Sequence, residues 1–436
     1  MPNLFTLVLQ MTVILALCRI VGALFKKIHQ PRVVGEMFAG ILLGPSLLGW
    51  ISPAFSAYLF PPSSLGFLSA LSQIGVVVFM FLVGLGINPG ELKKHGHAAV
   101  LASHVSITAP FVLAAFLAFF LYPRLSDDSV SFTSFALFMG AAMSVTAFPV
   151  LARILQERDW LGTRLGTVAI ASAAVDDVTG WCILAYIVML TRAAHGTTSI
   201  YVIIGGIIAF ALIMVFLVQR LLVGFERSFR KHGELSENAM ALMLLVMMCA
   251  SLCTEWLGLH LLFGAFLMGA IMPKQQHFVR YVLDRFETIT VTLLLPIFFA
   301  FTGLRTNIGL LKSREMWVYC VLIVLVATVG KLGGSAVAAR LTTMPVRESI
   351  GLGTLMNTRG LMELVILDIG LDIKVISPAL FAMMVVMALI TTFMASPLLD
   401  LICPDRLVWQ GTEKAARRAK AAVPQLDLDT GSGSAA

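Results

Sequence analysis

The sequence predicts an all-α polytopic membrane protein of thirteen transmembrane helices, built as an inverted-topology repeat with two helices broken at corresponding places. Three observations predict it. Of 436 residues, 58% are hydrophobic and 13% charged, with a mean hydropathy of +0.92; soluble domains run near 45–50% apolar and about 25% charged. Apolar runs long enough to cross a bilayer recur along almost the whole chain. Two pairs of similar segments lie seven runs apart. The first observation excludes a soluble or disordered chain. The net charge of +7 does not indicate nucleic acid, because Lys and Arg of membrane proteins gather in cytoplasmic loops. Cys18, Cys182, Cys249, Cys253, Cys320 and Cys403 form no CxxC pair, so neither a disulfide framework nor a zinc site is indicated.

A spanning helix needs roughly 20 mostly apolar residues. Such runs fall at about 4–25, 33–49, 65–87, 98–121, 133–155, 165–190, 199–221, 237–256, 259–273, 288–304, 315–341, 349–371 and 377–402. The first lacks a basic leader and a small-residue cleavage site, so it reads as a retained helix. The ninth is short. The tenth contains Pro296, which a membrane helix tolerates. Loops on one side carry 22 of the 31 Lys and Arg and loops on the other carry 6, with Arg19, Lys331 and Arg359 inside runs. That bias predicts an N-terminus outside and a C-terminus in the cytoplasm. Residues 1–403 are expected to form one transmembrane unit, and 404–436 a short basic cytoplasmic tail. Within the tail, 412–422 (TEKAARRAKAA) reads as a helix near anionic headgroups, and the final GSGSAA as a flexible end.

FMFLVGLGINPGEL (79–92) matches FFAFTGLRTNIGLL (298–311) at six of fourteen positions, and FAGILLG (38–44) resembles FGAFLMG (263–269). These segments belong to runs three and ten, and two and nine. Seven is odd, so the copies face opposite ways across the bilayer. Inverted repeats are a hallmark of secondary transporters, whose sites lie at the midplane where the copies meet.

Asp176 and Asp177, in AIASAAVDDVTGWCIL, lie near the middle of run six. A charge at that depth costs roughly 2.5–3.5 kcal/mol on insertion scales, so packing alone does not account for two adjacent acids. Adjacent helical residues point about 100° apart, which lets one face a partner helix and the other a cavity. Lys331, in TVGKLGGS of run eleven, is the natural counter-ion, and Gly330, Gly333 and Gly334 would let another helix approach it. Runs five and twelve are interrupted at mid-depth, by SVTAFP (Ser144 to Pro149) and by MNTRGLME (Arg359, Gly360). They too are seven apart, and paired interruptions point to a transport site. Ser144, Thr146, Asn357 and Thr358 offer side-chain oxygens there. Glu363 follows Arg359 at i+4, the spacing of a helical ion pair. Glu36 lies near the cytoplasmic mouth, lining an entry funnel or reaching water. Asp368 and Asp372, near the outer end of run twelve, are expected to meet solvent. Glu255 and His260 flank an outer turn, and His104, in run four, is expected to be a satisfied core histidine.

PRVVGEMFAGILLGPSLLG, SVTAFPVLARIL, AVDDVTGW and LMNTRGLMELVILDIGLD together resemble the second monovalent cation:proton antiporter family, which includes NapA-type sodium–proton antiporters, Kef-type potassium efflux proteins and plant cation/proton exchangers. The resemblance spans roughly residues 4–402. It implies a NapA/NhaA-like fold with two crossing broken helices, and a homodimer of thirteen-helix protomers, each with a dimer domain and a mobile core domain. It implies Asp177 as the ion-binding carboxylate, Asp176 as the partner of Lys331, Ser144 and Thr146 at the first crossing, and Asn357 to Gly360 at the second. The transported Na⁺ or K⁺ and H⁺ are the expected ligands, with no cofactor, no nucleic-acid partner, and a bacterial-type inner (plasma) membrane as host. The Asp-Asp/Lys set looks closest to sodium-type members, while the stretches around Pro149 and Arg359 look closest to plant exchangers, many of which handle potassium. Kef proteins carry a nucleotide-binding domain after the last helix. Here 33 residues follow Cys403 and no GxGxxG occurs, so nucleotide gating is not expected.

Rival classes fit less well. An intramembrane aspartyl protease needs its two acids on facing helices. An ATP-driven pump needs a phosphate-binding loop, but the only Gly-Lys is Gly330-Lys331 inside a membrane run. A potassium channel needs a carbonyl filter, and no TVGYG-like segment is present. The sequence therefore predicts a secondary antiporter rather than an enzyme, exchanging Na⁺, or alternatively K⁺, for protons, with a Kef-like potassium efflux channel as the other reading.

Overall fold

The computed structural model describes residues 4–28, 30–87, 96–126, 130–195 and 200–403. The expected basic tail lies outside the described residues. In chain order the helices are α1 (Leu4–Lys27), α2 (Arg32–Leu43), the short α3 (Leu48–Ile51) and α4 (Pro53–Leu59), α5 (Pro62–Gly86), α6 (Gly96–Leu125), α7 (Phe132–Ser144), α8 (Phe148–Glu157), α9 (Arg164–His195), α10 (Ile200–Ile213), α11 (Gln219–His232), α12 (Glu237–Trp256), α13 (Leu261–Ile271), α14 (Gln276–Ile289), α15 (Leu295–Arg305), α16 (Arg314–Thr328), α17 (Gly334–Leu341), α18 (Val346–Met356), α19 (Leu361–Asp372), α20 (Pro378–Phe393) and α21 (Ala395–Ile402). Among the described residues there is no strand. Among the described residues, eleven helical segments are long and apolar enough to cross a membrane, and twelve if α18 and α19, bent 42° at their junction, count as one span.

Local sequence sets the helix boundaries. Ser131, Ser236, Ser313 and Ser377 each accept a backbone N–H from three residues on, capping α7, α12, α16 and α20. Gly233, at φ 77°, ends α11 in the left-handed conformation that glycine adopts without strain. Pro296 does not end its run. A π-helical turn, Thr290–Leu294, in which the Leu295 N–H bonds back to the Thr290 carbonyl, leads directly into α15, whose first turn holds Pro296, where a missing N–H is tolerated. The helix before it, α14, extends the tenth run well beyond its apolar part.

Two packing groups result. In one, α2 packs on α1 and α15, and α5 packs on α13, α14 and α15. Glycines bring these backbones together. A Cβ on Gly40 would lie 2.1 Å from the Phe299 carbonyl oxygen, and one on Gly44 would lie 2.1 Å from that of Gly303. In the same way Gly84 meets the carbonyl of Phe266, and Gly269 that of Phe81. Where α5 and α13 end, Lys274 donates to the carbonyls of Gly84, Leu85 and Gly269, each at 3.0 Å. At the opposite end, where α2 and α15 terminate, Ser46 donates to the Thr306 carbonyl at 2.6 Å and accepts from the Ile308 N–H at 3.0 Å. The other group gathers α7, α9, α16 and α17 around α6, with α18 against α9 and α17. Between α16 and α17 lies another π turn, Val329–Gly333. Helix α20 contacts both groups.

Candidate ion-binding site

The second group holds most of the charged residues that the sequence places inside the membrane. Asp176 and Asp177 sit midway along α9, 0% and 2% exposed. Asp176 is saturated. Its Oδ1 accepts from Ser103 Oγ at 2.6 Å and Ser106 Oγ at 3.1 Å; its Oδ2 accepts from Lys331 Nζ at 2.5 Å and lies 2.8 Å from Thr146 Oγ1. Four donors are about what a carboxylate accepts. The single Thr146 hydroxyl proton is shared with the Met356 carbonyl, 2.9 Å away.

Lys331 lies in the π turn, a feature frequent at functional sites because the extra residue redirects one side chain. Gly330 and Gly334 lie against Pro110 and Ala109 of α6, which brings Ser103 and Ser106 to the acid; a Cβ on Gly333 would meet no neighbouring atom, so that glycine is not needed for the approach. Lys331 Nζ reaches Asp176, the Ser144 carbonyl and Ser106 Oγ, the last at 3.2 Å, so all three ammonium protons are used.

The helix breaks explain themselves as a pair. Residues 145–147 separate α7 from α8, and 357–360 separate α18 from α19. The two breaks touch where the Ala147 N–H donates to the Thr358 carbonyl at 2.9 Å. A helix that stops in the interior leaves its last carbonyls without partners, and the macrodipole makes that end negative. Two cations answer both needs. Arg359 donates to the carbonyls of Ala142 (3.1 Å), Met143 and Val145 (2.6 Å), and Lys331 donates to that of Ser144. Arg359 is wholly buried, so it does not snorkel to the surface. Its backbone is held by Thr392, which accepts from the Arg359 N–H at 2.8 Å and contacts its carbonyl at 2.7 Å. Gly360 is needed for space, since a Cβ would lie 2.7 Å from Val150.

Asp177 differs from its neighbour. Its Oδ1 is buried and receives no hydrogen bond. Asn357 Oδ1 at the second break is likewise without a donor. Such an oxygen is costly unless it takes a proton or a cation, and Asp177 can take either.

Several sequence expectations need correction. The Ser144 hydroxyl contacts the carbonyls of Gly140 (2.5 Å) and Ile107 (3.1 Å), so its carbonyl, not its hydroxyl, joins the network. Thr358 directs its hydroxyl to the Leu355 carbonyl at 2.7 Å. Glu36 is 6% exposed and packs against Gly22 of α1, apart from the network's hydrogen bonds. Asp368 is buried rather than solvated. It accepts from Thr302 Oγ1 at 2.6 Å and Arg305 at 3.1 Å, while Arg305 also reaches the more exposed Asp372 at 2.6 Å. These bonds satisfy the acid at the end of its run. His104 is exposed on α6 rather than buried in a core. Ser103 and Ser106 are the residues that sequence reasoning missed. Their signal was two hydroxyls three apart in LASHVSITAP, on one helical face, opposite the glycines of TVGKLGG.

The profile of the family described as "Sodium/hydrogen exchanger, transmembrane" matches residues 12–402. The Na⁺/H⁺ antiporter NhaS4 of Synechocystis sp. is 43% identical over 403 residues, covering 92% of this chain and 98% of that protein. The Cation/H⁺ antiporter 17 of Arabidopsis thaliana is 39% identical over 90% of this chain, and the chain spans about half of that longer relative, 48%. Among solved structures, the sodium proton antiporter MjNhaP1 from Methanocaldococcus jannaschii at pH 8 shares the fold, with a TM-score of 0.64 at 15% identity over 92% of this chain and 97% of that one. The buried acids, the capped breaks and these likenesses agree: the chain belongs to the transmembrane sodium/hydrogen exchanger family.

Proposed function

We propose that this integral membrane protein is a secondary antiporter, a transporter and not an enzyme, that exchanges a monovalent cation for protons by alternating access. The observation that carries the reading is the contrast within one helix: Asp176 is saturated, while Asp177 Oδ1 is buried with no donor. A carboxylate that must lose its proton before it binds a cation couples the two fluxes by competition. Sodium is the favoured cation. A carboxylate attracts the smaller ion more strongly at short range, and the relative that this chain covers almost completely is named a Na⁺/H⁺ antiporter. Potassium is the second reading, favoured by the plant-exchanger character of NTRGLMELVILDIGLD. Lys331 pairs with Asp176 between cation-loaded states and releases it when the cation arrives. If it also yields its proton, two protons move per cation and exchange is electrogenic.

The architecture we assign has thirteen spans, with Leu261–Ile271, a shorter apolar helix, as the thirteenth. Its two halves form an inverted repeat. The support is the equivalence of the glycine contacts: the repeat pairs Gly44 with Gly269 and Gly303 with Gly84, and Gly44 meets Gly303 as Gly84 and Gly269 meet each other's helix. The group of α1, α2, α5 and α13–α15 is read as the dimer domain of a homodimer and the group around α6 as the moving core. The N-terminus is assigned to the outside and the C-terminus to the cytoplasm of a bacterial-type inner membrane.

The test is a proteoliposome carrying a preset proton gradient. Adding Na⁺, K⁺ or Li⁺ should dissipate it with the wild type and leave it intact with Asp177→Asn. Dissipation by the mutant refutes the site, and cation flux without proton movement favours a channel. A current on a sensor surface is expected; exchange without current removes the two-proton scheme alone.

A further inference from the structure

The outer end of the bundle carries an ion-pair cluster that the exchange scheme leaves unused. Helix α15 supplies Thr302 and Arg305, and α19 supplies Asp368 and Asp372, each pair about one turn apart. Arg305 forks across the two acids: Nη1 lies 3.1 Å from Asp368 Oδ1, and Nη2 lies 2.6 Å from Asp372 Oδ1. Thr302 Oγ1 donates to the other oxygen of Asp368 at 2.6 Å. The guanidinium carbon sits 5.6 Å from the centre of the Phe301 ring, on the same helix as Arg305. The Arg305 and Asp368 side chains are 22% and 13% exposed, so solvent screens their attraction less than that of a surface pair. The two helices belong to different packing groups. Helix α15 packs on α1, α2 and α5, whereas α19 packs on α7 and α20. The cluster also flanks a cavity between these groups. Val365, Asp368, Ile369 and Asp372 form its α19 wall, at the i, i+3, i+4, i+7 spacing of one helical face, and Ser72 and Gln73 line it from α5. That face begins about one turn beyond the break at 357–360 and runs to the end of α19, so the cavity lies on the way from the crossing to the outer surface.

We propose that Arg305 is a latch between the two groups: its fork onto Asp368 and Asp372 holds the outer mouth shut while the site faces the cytoplasm, and it opens before the site faces out. This rests on the antiporter reading above, with its moving core and its assignment of this end to the outside. When one group moves against the other, contacts inside each group persist and contacts between them are exchanged. An ion pair suits that use, because its partners turn to water in the open mouth without any repacking of a core. Arg305 sits at the mouth and not at the ion, so it is a positioning residue that acts on the populations of the two states.

An apparent affinity scales with the share of molecules competent to bind, so breaking the latch should raise outward-facing affinity as it raises that share, by about tenfold. In right-side-out and inside-out membrane vesicles, Arg305→Gln should lower the apparent KM for Na⁺ on the outer face about tenfold, while the inner KM does not fall. Asp372→Asn, which loses one arm of the fork, should lower the outer KM about threefold. The two substitutions change the charge of the mouth in opposite senses. A mere effect of charge on local cation concentration would lower the outer KM in Arg305→Gln and raise it in Asp372→Asn, whereas an opened latch lowers it in both. Arg305→Gln combined with Asp372→Asn should differ less than about twofold from Arg305→Gln alone, since the shared bond is already gone. Arg305→Lys, which keeps the charge but not the fork, should fall between wild type and Arg305→Gln. A merely structural role would lower Tm and the maximal rate and leave the ratio of outer to inner KM unchanged. An unchanged ratio in Arg305→Gln, opposite shifts in the two single variants, or a fall confined to the inner face would overturn the proposal. Should Arg305→Gln fail to assemble, the sign of the shift in Asp372→Asn decides. A wild type that exchanges no cation for protons refutes the antiporter reading; a wild type that exchanges, beside an unaltered Arg305→Gln, refutes this inference alone.

Discussion

The glycine seams and the helix crossing solve the same problem, bringing main chains of distant segments into contact inside the bundle, by opposite means. In the seams, Gly40, Gly44, Gly84, Gly269 and Gly303 remove side chains so that backbone meets backbone. At the crossing the chain is opened, and the exposed carbonyls are bound by Arg359 and Lys331. The first contact is steric and has one arrangement at native packing density. The second is electrostatic, so it depends on who holds each proton. A transporter needs both: a part that stays fixed, and a part whose charge pattern changes when an ion exchanges with a proton.

Gly303→Ala should do the most damage. Its added Cβ would lie 2.0 Å from the carbonyl carbon of Gly40, which we expect to cost about 3 kcal/mol or more. Fluorescence-detected size exclusion should show lost assembly, and a normal peak with an unchanged Tm would break the steric account of the seam. Arg359→Gln should come next, at about 3 kcal/mol, because it removes one partner of a buried ion pair and uncaps α7. Thermal unfolding in detergent reads this directly, and an unshifted Tm would mean the carbonyls find other donors. Lys274→Met removes three bonds at the end of the α5–α13 seam, with about 2 kcal/mol expected and exchange kinetics unchanged. A changed cation KM in that variant would join the two regions that the comparison separates. Ser103→Ala should be mildest, at about 1 kcal/mol, since Ser106 still donates to the same oxygen. A loss of exchange in Ser103→Ala would show that Asp176 needs every donor.

The legible parts of the molecule were those where chemistry conflicts with the bilayer. Asp176, Asp177, Lys331 and Arg359 stand out because a charge in an apolar run demands an explanation. Pro149 and Gly360 marked the breaks by removing an N–H or a side chain. Ser103 and Ser106 did not stand out, because a hydroxyl in a membrane helix can bond back to its own backbone at little cost, as Thr179 does to Val175. The direction of the Ser144 hydroxyl was equally hidden, since a rotamer leaves no trace in sequence. Asp368 was misjudged because run position suggested solvent, whereas Thr302 and Arg305 of a distant helix enclose it. The π turn at Lys331 was also invisible: Gly-rich flanks permit it but do not require it.

The central claim is that one carboxylate holds either a proton or a cation. Calorimetric titration of the purified protein with Na⁺, repeated in buffers of different ionisation enthalpy, counts the protons released on binding. The account predicts that Na⁺ binding releases protons from the wild type, and that Asp177→Asn, though folded, releases none. Sodium binding to the wild type with no proton release, or unchanged release from Asp177→Asn, would contradict it.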